Sequence, residues 1–126
     1  MPFLKIHISD EIENEKLPHL AQEVREAMAK TLKIDPAHGH VAIYTAPAAH
    51  HSVHESRNPN FVFTEILMFS GRSDEMKEEL FKSISKVIER HIGVDNKDVL
   101  FNIIESERNN WAARGGVPFS KINLGY

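Results

Sequence analysis

Phe3-Leu4-Lys5-Ile6-His7-Ile8 and Phe63-Thr64-Glu65-Ile66-Leu67-Met68 open two stretches of chain that carry one apolar pattern. Moved forward by sixty positions, Phe3, Ile6 and Ile8 fall on Phe63, Ile66 and Met68. Leu20, Val24 and Met28 then fall on Leu80, Ile84 and Ile88. Leu32-Lys33-Ile34-Asp35 falls on Ile92-Gly93-Val94-Asp95, and Val41 and Ile43 fall on Phe101 and Ile103. Few residues are identical, yet the register holds without gaps through a strand, a helix and a second strand.

Each half reads as β-α-β. The first strand alternates, with Phe3, Lys5 and His7 on one face and Leu4, Ile6 and Ile8 on the other. The first helix is predicted from about Asn14 to Leu32, with Leu17, Leu20, Ala21, Val24, Met28 and Leu32 as its buried stripe. Pro18 falls near the first turn, where a missing N–H is tolerated. The second helix starts after Gly71, with Ser73 as N-cap and Asp74 and Glu75 at the positive end of the dipole. Met76, Leu80, Ile84, Val87 and Ile88 form its stripe, and Gly93 stops it. Val99 to Ile104 is the fourth strand. Ala46 to Asn60, rich in Ala, Pro, His, Ser and Asn, is an irregular connection.

The fold class is therefore α+β, a tandem β-α-β repeat in a single domain spanning 1–126. The pseudo-repeats cover about 2–45 and 62–105, and 106–126 is a C-terminal arm. Right-handed crossovers place both helices on one face of a four-stranded sheet. The arm is too small to cover the other face, so the sheets of neighbouring subunits are expected to do so.

The 126 residues suit one domain with one core, and the absence of Cys removes disulfides, thiolate metal sites and a Cys nucleophile. That usage fits a cytoplasmic protein. The formal charge of −3 is scattered, which argues against a nucleic-acid partner. The apolar runs fall far short of the roughly 20 residues of a membrane helix, and Met1 to Ile8 lacks the features of a signal peptide.

Pro2 directly after Met1, β-α-β halves sixty residues apart, and Gly71-Arg72-Ser73 opening the second helix together resemble the tautomerase superfamily. Within it, the chain resembles the malonate semialdehyde decarboxylase and 4-oxalocrotonate tautomerase branches. Val99 to Gly116, with Glu105 and Trp111, extends the likeness over nearly the whole chain. The resemblance implies a tautomerase/MIF-like fold, a homotrimer, and a site around Pro2 built partly from a neighbouring subunit. It implies no cofactor and no metal. Where the decarboxylase and the dehalogenase of the superfamily carry a second arginine, this chain has Ser70 at the decarboxylase-aligned position. Where the decarboxylase holds its water-activating acid, this chain has His38, Gly39 and His40.

Keto–enol tautomerisation needs a base and a cation that holds the developing enolate. With Met1 removed, the secondary amine of Pro2 is the expected base, and an apolar wall of Phe3, Trp111 and Phe119 is expected to disfavour its charged form. Arg72, with a planar fork, is the expected catalytic partner for a substrate carboxylate or enolate. Either Arg108 or Arg114, on the two sides of Trp111, offers a second carboxylate contact. His38 or His40 offers a proton relay, and Glu105 an ordering contact to Arg114 or nearby backbone. His50, His51 and His54 lie on a segment without helical character and read as solvated loop rather than zinc site. The expected substrate is a small 2-keto or 2-hydroxy-unsaturated carboxylic acid. The alternatives are a cofactor-free decarboxylase or dehalogenase acting on a three-carbon acid, and a non-catalytic trimeric binding protein.

Overall fold

Leu4, Ile6 and Ile8 are buried while Phe3, Lys5 and His7 are half-exposed, the alternation of a strand packed on one face. This strand, β1 (Phe3–Ser9), belongs to a computed structural model that describes residues 2–58 and 60–126. The expected loss of Met1, and Pro59 within the irregular connection, lie outside the described residues. A 3-10 turn at Asn14–Lys16 leads into α1 (Leu17–Leu32), followed by β2 (His40–Ala46). The second half consists of β3 (Val62–Phe69), α2 (Asp74–Ile92) and β4 (Val99–Ser106). A two-stranded ribbon of β5 (Ala112–Ala113) and β6 (Val117–Pro118) lies in the arm.

The sheet order is β2-β1-β3-β4. β1 runs parallel to β2, β3 runs parallel to β4, and the two halves meet as the antiparallel pair β1/β3. A parallel pair needs a crossover, which α1 and α2 supply. The helices pack on each other across one face. Arg90 of α2 reaches Glu23 of α1 at 2.9 Å, and His91 meets the same carboxylate. Leu4, Ile6, Val24, Met28, Ile66, Leu80 and Ile84 are fully enclosed between helices and sheet. Burial of each such side chain stabilises the fold by about 1.5–3 kcal/mol.

Several boundaries differ from the sequence reading. The α-helix begins at Leu17, not near Asn14. Pro18 sits in the first turn, and its ring and missing N–H suit a start there. Leu17, Ala21 and Met76 are only half-buried, whereas Ala29 joins the core. β4 runs two residues beyond Ile104, because Ser106 accepts the backbone N–H of Ser70 at 3.1 Å and carries the pairing with β3 to its end. Ser73 does cap α2, its hydroxyl accepting the N–H of Met76 at 3.2 Å, and Gly93 ends the helix at a left-handed φ of 68°.

The second face of the sheet exposes Tyr44, Leu100 and Ile104. His7 lies on that face, bonded to Glu65 at 2.7 Å and stacked between Tyr44 and Phe63. Among the described residues no helix is long and apolar enough to cross a membrane.

Candidate active site

Where β3 gives way to α2, the turn Ser70-Gly71 swings the chain away from the sheet, with Gly71 at a φ of 116° that disfavours a side chain. The next residue, Arg72, is half-buried and donates from Nη1 to the carbonyl oxygen of Phe69 at 3.2 Å. Its fork therefore lies back along the end of β3. Arg108 arrives from a 3-10 turn after β4, its guanidinium 4.9 Å from the centre of the Phe69 ring. The two arginines border one cleft of about 290 Å³ with Ser73, Met76 and Tyr126. Burial draws the Arg72 guanidinium below its ordinary value. Tyr126 opposes that shift, Arg108 adds to it, and Glu105 opposes it. Arg72 nevertheless stays a cation.

Tyr126 closes one side of this cleft. Arg108 donates from Nη2 to its carbonyl oxygen and also lies 5.8 Å from the centre of its ring. The ring continues to His38, 5.7 Å away. The Tyr126 hydroxyl and Nδ1 of His38 are both buried without a hydrogen-bond partner among the described residues. Burial raises the Tyr126 phenol above its ordinary value, Arg72 and Arg108 pull it down, and Asp35 raises it.

Pro2 stands at the start of β1, buried, and its carbonyl oxygen accepts the N–H of His40 at 3.1 Å. A Cβ added at Gly39 would stand 3.7 Å from Cγ of Pro2, 3.0 Å from Cε of Met28 and 3.9 Å from Cδ1 of Ile34. The Pro2 ring thus faces the helix side of the sheet. Phe3 points to the opposite face, where its ring meets His40 at 5.9 Å. Among the described residues Pro2 does not border the cleft, but it is close to it by two routes. Phe3 pairs with Leu67, so Pro2 is beside the end of the strand that delivers Phe69 and Arg72. Gly39, against which Pro2 packs, follows His38, which touches Tyr126.

The remaining sequence candidates are distributed around this centre. Trp111 and Phe119 pack on Phe69, each with ring centres 5.7 Å apart, and Nε1 of Trp111 donates to the Ser106 hydroxyl at 2.7 Å. They form a small apolar cluster behind the cleft. Arg114 sits exposed at the tip of the β5–β6 ribbon with φ 50° and is not among the described residues that line the cleft. His40 is exposed on the open sheet face. Glu105 meets not Arg114 but Lys77, at 2.5 Å, because β4 presents it toward α2. His54 bonds Ser56 at 2.9 Å, and the His51 ring packs edge-on to Phe61. Sequence reasoning missed Tyr126 and Phe69. Phe69 is legible only as the last apolar residue of its strand, and Tyr126 has no periodicity to mark it.

Residues 48–114 match the family of tautomerase enzymes. A 2-hydroxymuconate tautomerase of Pseudomonas putida is 34% identical over 59 residues, 47% of this chain and 92% of that protein. A fused 4-OT solved as a symmetric trimer superposes with a TM-score of 0.86 at 17% identity, over 94% of this chain and 96% of its own. A malonate semialdehyde decarboxylase inhibited by 3-bromopropiolate gives a TM-score of 0.78 at 21% identity, over 87% of each chain.

Proposed function

Because this chain belongs to the tautomerase family, we propose that it moves a proton between oxygen and carbon of a small 2-keto or 2-hydroxy-unsaturated carboxylic acid. The observation that carries the reading is the convergence of Arg72 and Arg108 on one cleft at the end of β3, beside the strand that begins after Pro2. Two guanidinium groups on a half-apolar cleft suit a carboxylate joined to an unsaturated carbon skeleton.

In this reading the chain loses Met1, and the freed Pro2 nitrogen removes the proton of the substrate's 2-hydroxyl group. The O–H electron pair becomes the carbonyl bond, the adjacent double bond shifts, and the proton passes from the nitrogen to a carbon of the substrate. Arg72 holds the carboxylate and balances the charge that develops on oxygen. Arg108 sits beside it as a second cation. Phe69, backed by Trp111 and Phe119, seats the Arg108 guanidinium, and Met76 gives the unsaturated skeleton an apolar surface. Arg114 serves a neighbouring subunit's cleft, and His38 orders the Pro2 corner. The enzyme acts as a homotrimer, with the open sheet face around Tyr44, Leu100 and Ile104 covered by its neighbours. The solved trimer of the fused relative supports that assembly.

The test is kinetic. Pro2→Ala is expected to lower kcat/KM for phenylpyruvate enolisation or 2-hydroxymuconate ketonisation by about 10²-fold or more, within the range for loss of a positioned base. Unchanged rates in a folded Pro2→Ala protein would overturn the reading.

A further inference from the structure

Two polar atoms in and beside the cleft are buried without partners among the described residues, the hydroxyl of Tyr126 and Nδ1 of His38, on rings whose centres lie 5.7 Å apart. Buried donors and acceptors are ordinarily paired. The Tyr126 hydroxyl lies within the electrostatic reach of both guanidinium groups and has no partner among the described residues, so it is arranged for something that arrives. What arrives is an anion, because Arg72 and Arg108 border the same space.

We propose that Tyr126 is a substrate-binding residue whose hydroxyl donates a hydrogen bond to the 2-oxo oxygen of the acid held by Arg72. The inference rests on the carboxylate-binding reading of the cleft but not on Pro2 as base. In a 2-oxo acid the keto oxygen is on the carbon next to the carboxylate. A ligand anchored by its carboxylate therefore offers a second oxygen acceptor to the nearest donor. Tyr126 is that donor, since its ring borders the cleft while Arg108 fixes its backbone through the carbonyl oxygen. Burial keeps the phenol in its protonated, donating form. The bond strengthens as the carbonyl oxygen gains negative charge, so the residue favours the enolate over the ketone. It also makes the site selective for 2-oxo acids over acids lacking the keto oxygen, because binding the latter leaves the donor unpaired.

Binding of benzoylformate, a 2-oxo acid, is compared with that of phenylacetate, which keeps the ring and carboxylate but lacks the keto oxygen. Calorimetric titration of the wild type is expected to show benzoylformate binding about tenfold tighter, which is about 1.4 kcal/mol. Tyr126→Phe keeps the ring and is expected to bind the two acids equally. Its kcat for phenylpyruvate is expected to fall about tenfold, with KM changed less. Retention of the preference in Tyr126→Phe would overturn the proposal, as would tighter binding or faster turnover in that variant, or failure of the wild type to bind benzoylformate. If Pro2→Ala proves fully active, the proton-transfer reading falls, while the benzoylformate preference still decides the role of Tyr126.

Discussion

Tyr126 rests its ring on His38 and gives its carbonyl oxygen to Arg108, whose guanidinium lies over the Phe69 ring, so the arm joins the two pseudo-repeats at the cleft. His38 belongs to the loop between α1 and β2 of the first half, and Arg108 follows β4 of the second. The Pro2 corner belongs to the first half and Arg72 to the second, and the arm, which carries Arg108 and Tyr126, spans them.

That position governs how Tyr126 titrates. Burial, the largest influence, raises its phenol above the ordinary value. The ionised form is the one the folded state disfavours. The contribution to stability is therefore fully present below the unfolded value of about 10 and is lost as pH rises through the folded value. The difference in ultraviolet absorbance between wild type and Tyr126→Phe, followed with pH, is expected to show a midpoint above that of a free tyrosine. A midpoint at or below it would show that burial is not the dominant influence on the ring.

Arg72 is held by the Phe69 carbonyl and faces the cleft as a planar fork. Arg72→Ala is expected to lower kcat/KM by about 10²-fold, comparable to loss of one preorganised donor to an oxyanion. Arg72→Lys is expected to recover little, because an ammonium cannot reproduce the two-point contact. Steady-state kinetics on a 2-oxo acid check both variants. Full recovery in the lysine variant would reduce the role of Arg72 to that of a point charge.

Gly39 has a φ of 136°, and a Cβ there would meet Cε of Met28 at 3.0 Å and approach Pro2. Gly39→Ala is expected to destabilise the fold by about 1–3 kcal/mol through backbone strain. It is also expected to reduce turnover, because the displaced loop carries His38 and borders Pro2. Thermal denaturation and a rate measurement well below the transition separate the two effects. An unchanged melting temperature would mean that the corner is more open than the contacts at Gly39 indicate.

The repeat made the fold readable because each strand and helix buries one face and so prints its period on the sequence. Leu80, Ile84 and Ile88 are buried where Leu20, Val24 and Met28 are buried. Only local chemistry moved the boundaries, as at Pro18, which starts α1, and at Ser106, whose carbonyl extends β4. The site was less legible, because its parts converge through turns rather than periodic elements. The Gly71-Arg72-Ser73 turn was visible as a helix start, but nothing in sequence spacing separated Arg108, in the cleft, from Arg114, at a ribbon tip. Glu105 was misread because strand register, not proximity in sequence, turns it toward Lys77. Tyr126 lies in an irregular arm, and only the folded chain shows it meeting both His38 and Arg108.

Intact-mass spectrometry of the protein before and after exposure to 3-bromopropiolate, followed by peptide mapping, tests the role of Pro2 most directly. The expected result is a chain lacking Met1 that gains one adduct on the Pro2 nitrogen and loses activity in proportion, with no adduct in Pro2→Ala. A chain that retains Met1, or an adduct elsewhere while Pro2 stays unmodified, would contradict a proline amine as the group that carries the proton.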